Sequence, residues 1–133
     1  MADRRGRKPE RPAQQQVKSA NYVRLGHDLL GSEAWLHLSP RAFKLLVAIW
    51  SRHRGPRNNG RIPYSRDEAC RVLHCGEHQA SKAFQELEHK GFIRLTRDSH
   101  FNIKTKTARE WEITAEPTAD HGPAEDFKDW RSE

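Results

Sequence analysis

Long apolar runs are missing from this chain. The longest, Leu45–Trp50, has six residues. A membrane helix needs about 20, so no membrane partner is expected. The opening sixteen residues, MADRRGRKPERPAQQQ, hold no apolar stretch, which argues against a secretory signal. Cysteine is scarce as well, with only Cys70 and Cys75. A disulfide between them would distort a short helix and turn. Reduced thiols and a cytoplasmic compartment are therefore expected. Phosphate loop, nucleophile elbow and metal-binding helix motif are all absent from the text. No spacing groups the isolated Asp, His and Ser residues, so no catalytic residue and no enzyme are expected.

One spacing invites a metal. Cys70, His74, Cys75 and His78 spell C-x3-H-C-x2-H. Structural zinc takes paired ligands on flexible knuckles, whereas Cys70 and His74 fall on one helical stretch. Cys75 takes an apolar turn position suited to packing. No metal and no cofactor are expected.

Charge is abundant. Charged residues make up 32% of the chain against 35% hydrophobic, with a net charge of +6 over 133 residues. That allows one domain with a small core. The sign is unevenly spread. Residues 1–18 carry six Lys/Arg against two Asp/Glu, residues 19–113 sixteen against ten, and residues 114–133 two against six. A basic folded segment with a basic arm favours a polyanionic partner, above all nucleic acid. Residues 1–20, rich in Arg, Lys, Pro and Gln, cannot bury apolar surface and form a disordered basic arm when free.

Order is expected from Tyr22. His27–Leu38 reads as a pre-helix with Leu29, Leu30, Trp35, Leu36 and Leu38 in the core. Ser39 is a good N-cap and Pro40 suits the first helical position. Phe43, Leu46, Val47 and Trp50 then share one helical face, widened by Leu45, Ala48 and Ile49. The helix stops near His53, before Gly55-Pro56. Asn59-Gly60 marks a turn, and Arg61–Tyr64 a short strand. Ser65-x-x-Glu68 is a capping box, with Ala69 and Leu73 facing inward behind it. A helix from Gly76 or Glu77 presents Ala80, Ala83, Phe84 and Leu87 inward, leaves Glu77, His78, Ser81, Lys82 and Gln85 outward, and stops at Gly91. Phe92–Thr96 and Lys106–Ile113 alternate as two strands, with Ile93, Leu95, Trp111 and Ile113 inward. Beyond Thr114 the text turns acidic, and a flexible tail is expected over 115–133. Phe127 and Trp130, spaced i, i+3, could instead dock as a short helix on this domain or on a protein partner.

Helix, helix, short strand, capped helix, turn, long helix, hairpin: over 21–114 this order resembles the winged helix-turn-helix DNA-binding family. It is similar to small proteins of bacterial, phage and mobile-element origin in which NNGRIP-type text precedes the motif. The implied fold is α+β, mostly α, with three core helices, a pre-helix and a β-hairpin wing. Two positions depart from the family text. His74 stands where glycine is usual, in a left-handed turn position that His tolerates better than a β-branched residue. Gly76 replaces the usual Ser, Thr or Asp cap.

The resemblance implies double-stranded DNA binding by a cytoplasmic, nucleoid-associated monomer or homodimer. A transcriptional regulator is the first expectation. A replication-initiation protein of a phage or plasmid, or an adaptor that contacts protein rather than DNA, stays open. Base contacts would come from Glu77, His78, Gln79, Ser81 and Lys82 on the helix in the major groove. Backbone contacts would come from Arg57, Arg61, Arg66, Arg94, Arg97, Lys104 and Lys106.

Overall fold

The computed structural model describes residues 22–98, 100–101 and 106–133. The expected basic arm, 1–20, and Lys104 lie outside the described residues. The fold is α+β and mostly helical, with a three-stranded antiparallel sheet.

The pre-helix is two single turns rather than one helix, α1 (His27–Leu30) and α2 (Glu33–Leu36). Ser32 separates them because its hydroxyl accepts from the Trp35 amide and caps the second turn. Leu29 and Ala34 are buried, and Leu30, Trp35 and Leu38 pack partly against the core. Leu36, expected inside, is 64% exposed. Its turn is too short to keep every apolar residue on one face.

Helix α3 (Pro40–Trp50) starts as expected, with Ser39 capping the Ala42 amide. Its buried face is turned from the expected one. Ala42, Leu45, Leu46, Ile49 and Trp50 are buried, while Phe43 and Val47 are half-buried. From 43 to 50 Lys44 is the only polar residue. The helix's own pattern therefore leaves its rotation open, and the neighbouring helices set it.

After β1 (Ile62–Pro63) comes α4 (Arg66–Leu73), which carries the full capping box. The Ser65 hydroxyl accepts from the Glu68 amide at 3.1 Å, and the Glu68 carboxylate accepts from the Ser65 amide at 3.0 Å. Arg52 donates to Glu68 at 2.6 Å and to the Pro63 carbonyl at 2.7 Å, and lies over the Tyr64 ring. This ties the end of α3 to the start of α4. The long helix α5 (Glu77–His89) follows.

Strand β2 (Ile93–Arg97), the short pair β3 (His100–Phe101) and β4 (Lys106–Thr107), and β5 (Glu110–Ile113) complete the sheets. The main sheet has the order β1-β5-β2, so β5 is central. Ile93 faces Ile113 and Leu95 faces Trp111, with a bulge between Leu95 and Arg97. A bulge bends its strand and breaks alternation. Leu95, expected inward, is accordingly 39% exposed. Phe84 of α5 stacks on Trp111 at 5.0 Å, and the Trp111 indole donates to the Tyr64 carbonyl. This joins helices to sheet.

The flexible tail expected over 115–133 is a strap packed on the fold. Asn59 starts it: its Oδ1 accepts from the Ile113 amide, and its Nδ2 donates to the carbonyls of Ile113, Glu116 and Pro117. The strap ends in a 3-10 helix, η1 (Asp126–Asp129). Phe127 is buried there and stacks on Phe92 at 5.4 Å. Its polar flanks, though exposed, are matched by charges on the fold. Asp126 pairs with Arg94, Lys128 with Asp28, and Ser132 bonds to Glu33. The docked short helix, the other outcome open to the sequence, is what the chain forms.

Candidate functional site

The junction between α4 and α5 fixes the site. Helix α4 ends at His74, whose backbone is left-handed (φ 54°, ψ 51°). The expected departure from glycine is thus real and costs strain, because a side chain there crowds the backbone. The Cys75 amide closes the end by donating to the Cys70 carbonyl at 3.1 Å. Both cysteines are free thiols and half-buried against the core. Among the described residues no group of three His, Cys, Asp or Glu side chains is arranged to hold a metal ion.

Gly76 has no side chain to cap α5. Gln79 makes up for that by turning back, its Oε1 accepting from the Gly76 amide at 3.1 Å. With its Oε1 engaged in the cap, this amide is not free for the two-bonded pair with adenine. Ala80, Ala83, Phe84 and Leu87 are buried, as their spacing implied. The helix is anchored on α3 by Glu86, which accepts from the amide and hydroxyl of Ser39 at 2.8 and 2.7 Å and pairs with Lys90 at 3.0 Å. Burial pushes the Glu86 carboxyl up, but these three donors outweigh it and hold it below its ordinary range.

The five expected base-contact residues separate into two groups. His78 and Lys82 are exposed, point away from the buried face, and have no hydrogen bond or ion pair among the described residues. Glu77 is exposed but leans to the α4 side, where Arg66 lies 3.7 Å away. Gln79 is the cap just described. Ser81 is half-buried. Gln85 and His89 are exposed on the same side as His78 and Lys82. Sequence reasoning placed Gln85 outward without giving it a contact role, and it passed over His89. The i, i+4, i+7, i+11 spacing from His78 was the signal that could have found both.

The expected backbone contacts are also divided. Arg57 and Arg61 are exposed in the loop before β1 with no side-chain partner among the described residues. Arg66 is shared with Glu77. Arg97 lies 3.7 Å from Glu110. Arg94 is the most committed: it donates to both Asp126 oxygens at 2.8 and 2.9 Å and lies 4.0 Å from the buried Glu112. The Asp126 carboxylate raises its pKa further above the arginine range. Lys106 stands in β4 opposite Phe101. Phe127, considered for a protein partner, is spent inside the chain. Trp130 is half-buried between His37 and Lys90.

No protein-family model, curated protein or solved structure matches this chain. No described helix is long and apolar enough to cross a membrane.

Proposed function

We propose that this chain is a winged-helix protein that binds double-stranded DNA, with α5 in the major groove and the β2–β5 hairpin, lengthened by β3 and β4, lying along the backbone as a wing. Control of transcription is the role that best suits such a module. One observation carries the reading: α5, joined to α4 by a tight turn, presents on its exposed face His78 and Lys82 as donors with no partner among the described residues. Major-groove base edges display acceptors for such donors. Arg57 and Arg61, in the loop leading into the sheet, supply phosphate contacts. The basic balance of residues 19–113 supports the same partner.

Titration of a generic duplex with the full chain across salt concentrations tests this. Binding at low salt that weakens steeply as salt rises is the expected result, because phosphate contacts release counterions. Arg61→Ala should weaken all duplexes alike and reduce the salt slope by about one unit. Failure to bind any duplex at low salt would reject the reading and favour a protein-contacting adaptor.

A further inference from the structure

The exposed face of α5 has an unusual composition. Buried Ala80, Ala83, Phe84 and Leu87 define its inner line. Helical periodicity of 3.6 residues places His78, Lys82, Gln85 and His89 directly opposite. All four are exposed, and none has a hydrogen bond or ion pair among the described residues. The carboxylates of α5 stand off this line. Glu77 is beside Arg66, Glu86 is engaged by Ser39 and Lys90, and Glu88 is on the flank near Arg109. The outward line therefore offers donors, and no anion lies along it.

We infer that α5 lies lengthwise in the major groove and reads a purine-rich, guanine-bearing strand through Lys82, Gln85 and His89, with His78 leading. This rests on the DNA-binding reading above and adds the bases and residues that give specificity. Guanine presents two acceptors, O6 and N7, to the major groove, and adenine presents an acceptor beside a donor. Lysine and an imidazole N–H match the first, and a glutamine amide matches the second. Cytosine presents only a donor there and would need a carboxylate to accept from it, and thymine presents a single acceptor beside a methyl group that no apolar side chain on this line would meet. Glu77, the sequence's candidate for that contact, is held toward Arg66.

The length fits. The eleven residue-to-residue rises from His78 to His89 span about 16 Å of helix. Base pairs rise about 3.4 Å each, so the line covers roughly five steps. A helix entering by its tip alone would use only His78 and Lys82.

Selection of bound duplexes from a random pool, followed by affinity measurements on the selected and on scrambled DNA, tests the inference. The selected site should carry a run of purines on one strand with at least one guanine. Lys82→Ala and Gln85→Ala should each lose roughly 5- to 100-fold on the selected site and little on scrambled DNA. His89→Ala should relax preference at one end of the site. Glu77→Ala should leave base preference unchanged. Each substitution is at an exposed position, and an unaltered circular dichroism spectrum and melting temperature would confirm the fold. Salt-sensitive binding without purine enrichment would overturn the inference and leave the DNA-binding reading standing. So would equal losses on selected and scrambled DNA for Gln85→Ala and His89→Ala. A strong shift in base preference for Glu77→Ala would restore the cytosine contact and overturn it too. No duplex binding at all would remove both.

Discussion

Gly91 has φ +85°, and a Cβ built on it would lie 2.6 Å from the carbonyl carbon of Asp126 and 2.7 Å from the Phe127 amide nitrogen. Sequence alone explains half of this. A glycine after a long amphipathic run ends a helix because its left-handed backbone is free of Cβ strain. The other half is a neighbour 35 positions away that no local pattern announces. Gly91→Ala should therefore cost more than the ~1–2 kcal/mol of left-handed strain alone, since the opposing atoms are backbone and cannot swing aside. Gly55→Ala is the control: φ is +117°, but nothing lies within 4 Å of the added atom. Urea denaturation of both variants should show the larger loss at Gly91, and equal losses would mean that the close approach carries no energy. The placement of the expected contact residues divides in the same way. The outward placement of His78 and Lys82 was legible because burial of Ala80, Ala83 and Phe84 forces them outward. The partners of Gln79 and Arg94, the Gly76 amide and Asp126, were not legible, because they depend on a cap and a long-range contact.

At the scale of elements, boundaries written in caps were readable and rotations were not. Ser39, Ser65 and Gly91 mark α3, α4 and α5 within a residue or two, because each mark is a local hydrogen bond or a local torsion. The facing of α3 was not readable, since apolar residues cover nearly all of its surface. The strap was missed for a related reason. Phe127 and Trp130 sit among charges that read as solvated until Arg94, Asp28 and Glu33 are brought opposite them. Asn59 is the joint between these levels. Its Asn-Gly text signals a turn, yet its side chain holds the end of β5 and the first residues of the strap through four hydrogen bonds. Asn59→Asp keeps the shape and replaces a donor by an acceptor facing three carbonyls. A loss of about 3 kcal/mol or more is expected, by analogy with buried groups left unsatisfied. Amide exchange should then rise in residues 113–130 before it rises in α5. Uniform acceleration across the chain would show that Asn59 does not act on the strap.

For the whole molecule, acid should destabilise in two stages. Burial lowers the pKa of His53. A base depressed on folding adds stability that is complete above its unfolded pKa of about 6.5 and is lost as pH falls through the folded value. Glu68 is lowered by its hydrogen bond to Arg52, and Glu86 by Ser39 and Lys90 against the opposing effect of burial. These carboxylates add stability present above about pH 4.3 and lost as pH falls further. Glu88, raised by burial, opposes them. Melting temperature should fall first below about pH 6.5 and again below about pH 4.3. His53→Gln should flatten only the upper stage, and an unchanged upper stage would assign it to another group.

The contact between Gly91 and η1 also bears on how the chain is made. Synthesis proceeds from the N-terminus at about 5–20 residues per second. The slot beside Phe92 therefore stands open for the interval in which the ribosome adds residues 93 to 127. Helices α1–α5 and strands β1–β5 all precede Phe127 in the chain, yet an aromatic face stays uncovered until it arrives. A chain cut short after Thr114 would keep α5 but lack the Phe127 ring that stacks on Phe92, so that aromatic face would stay exposed.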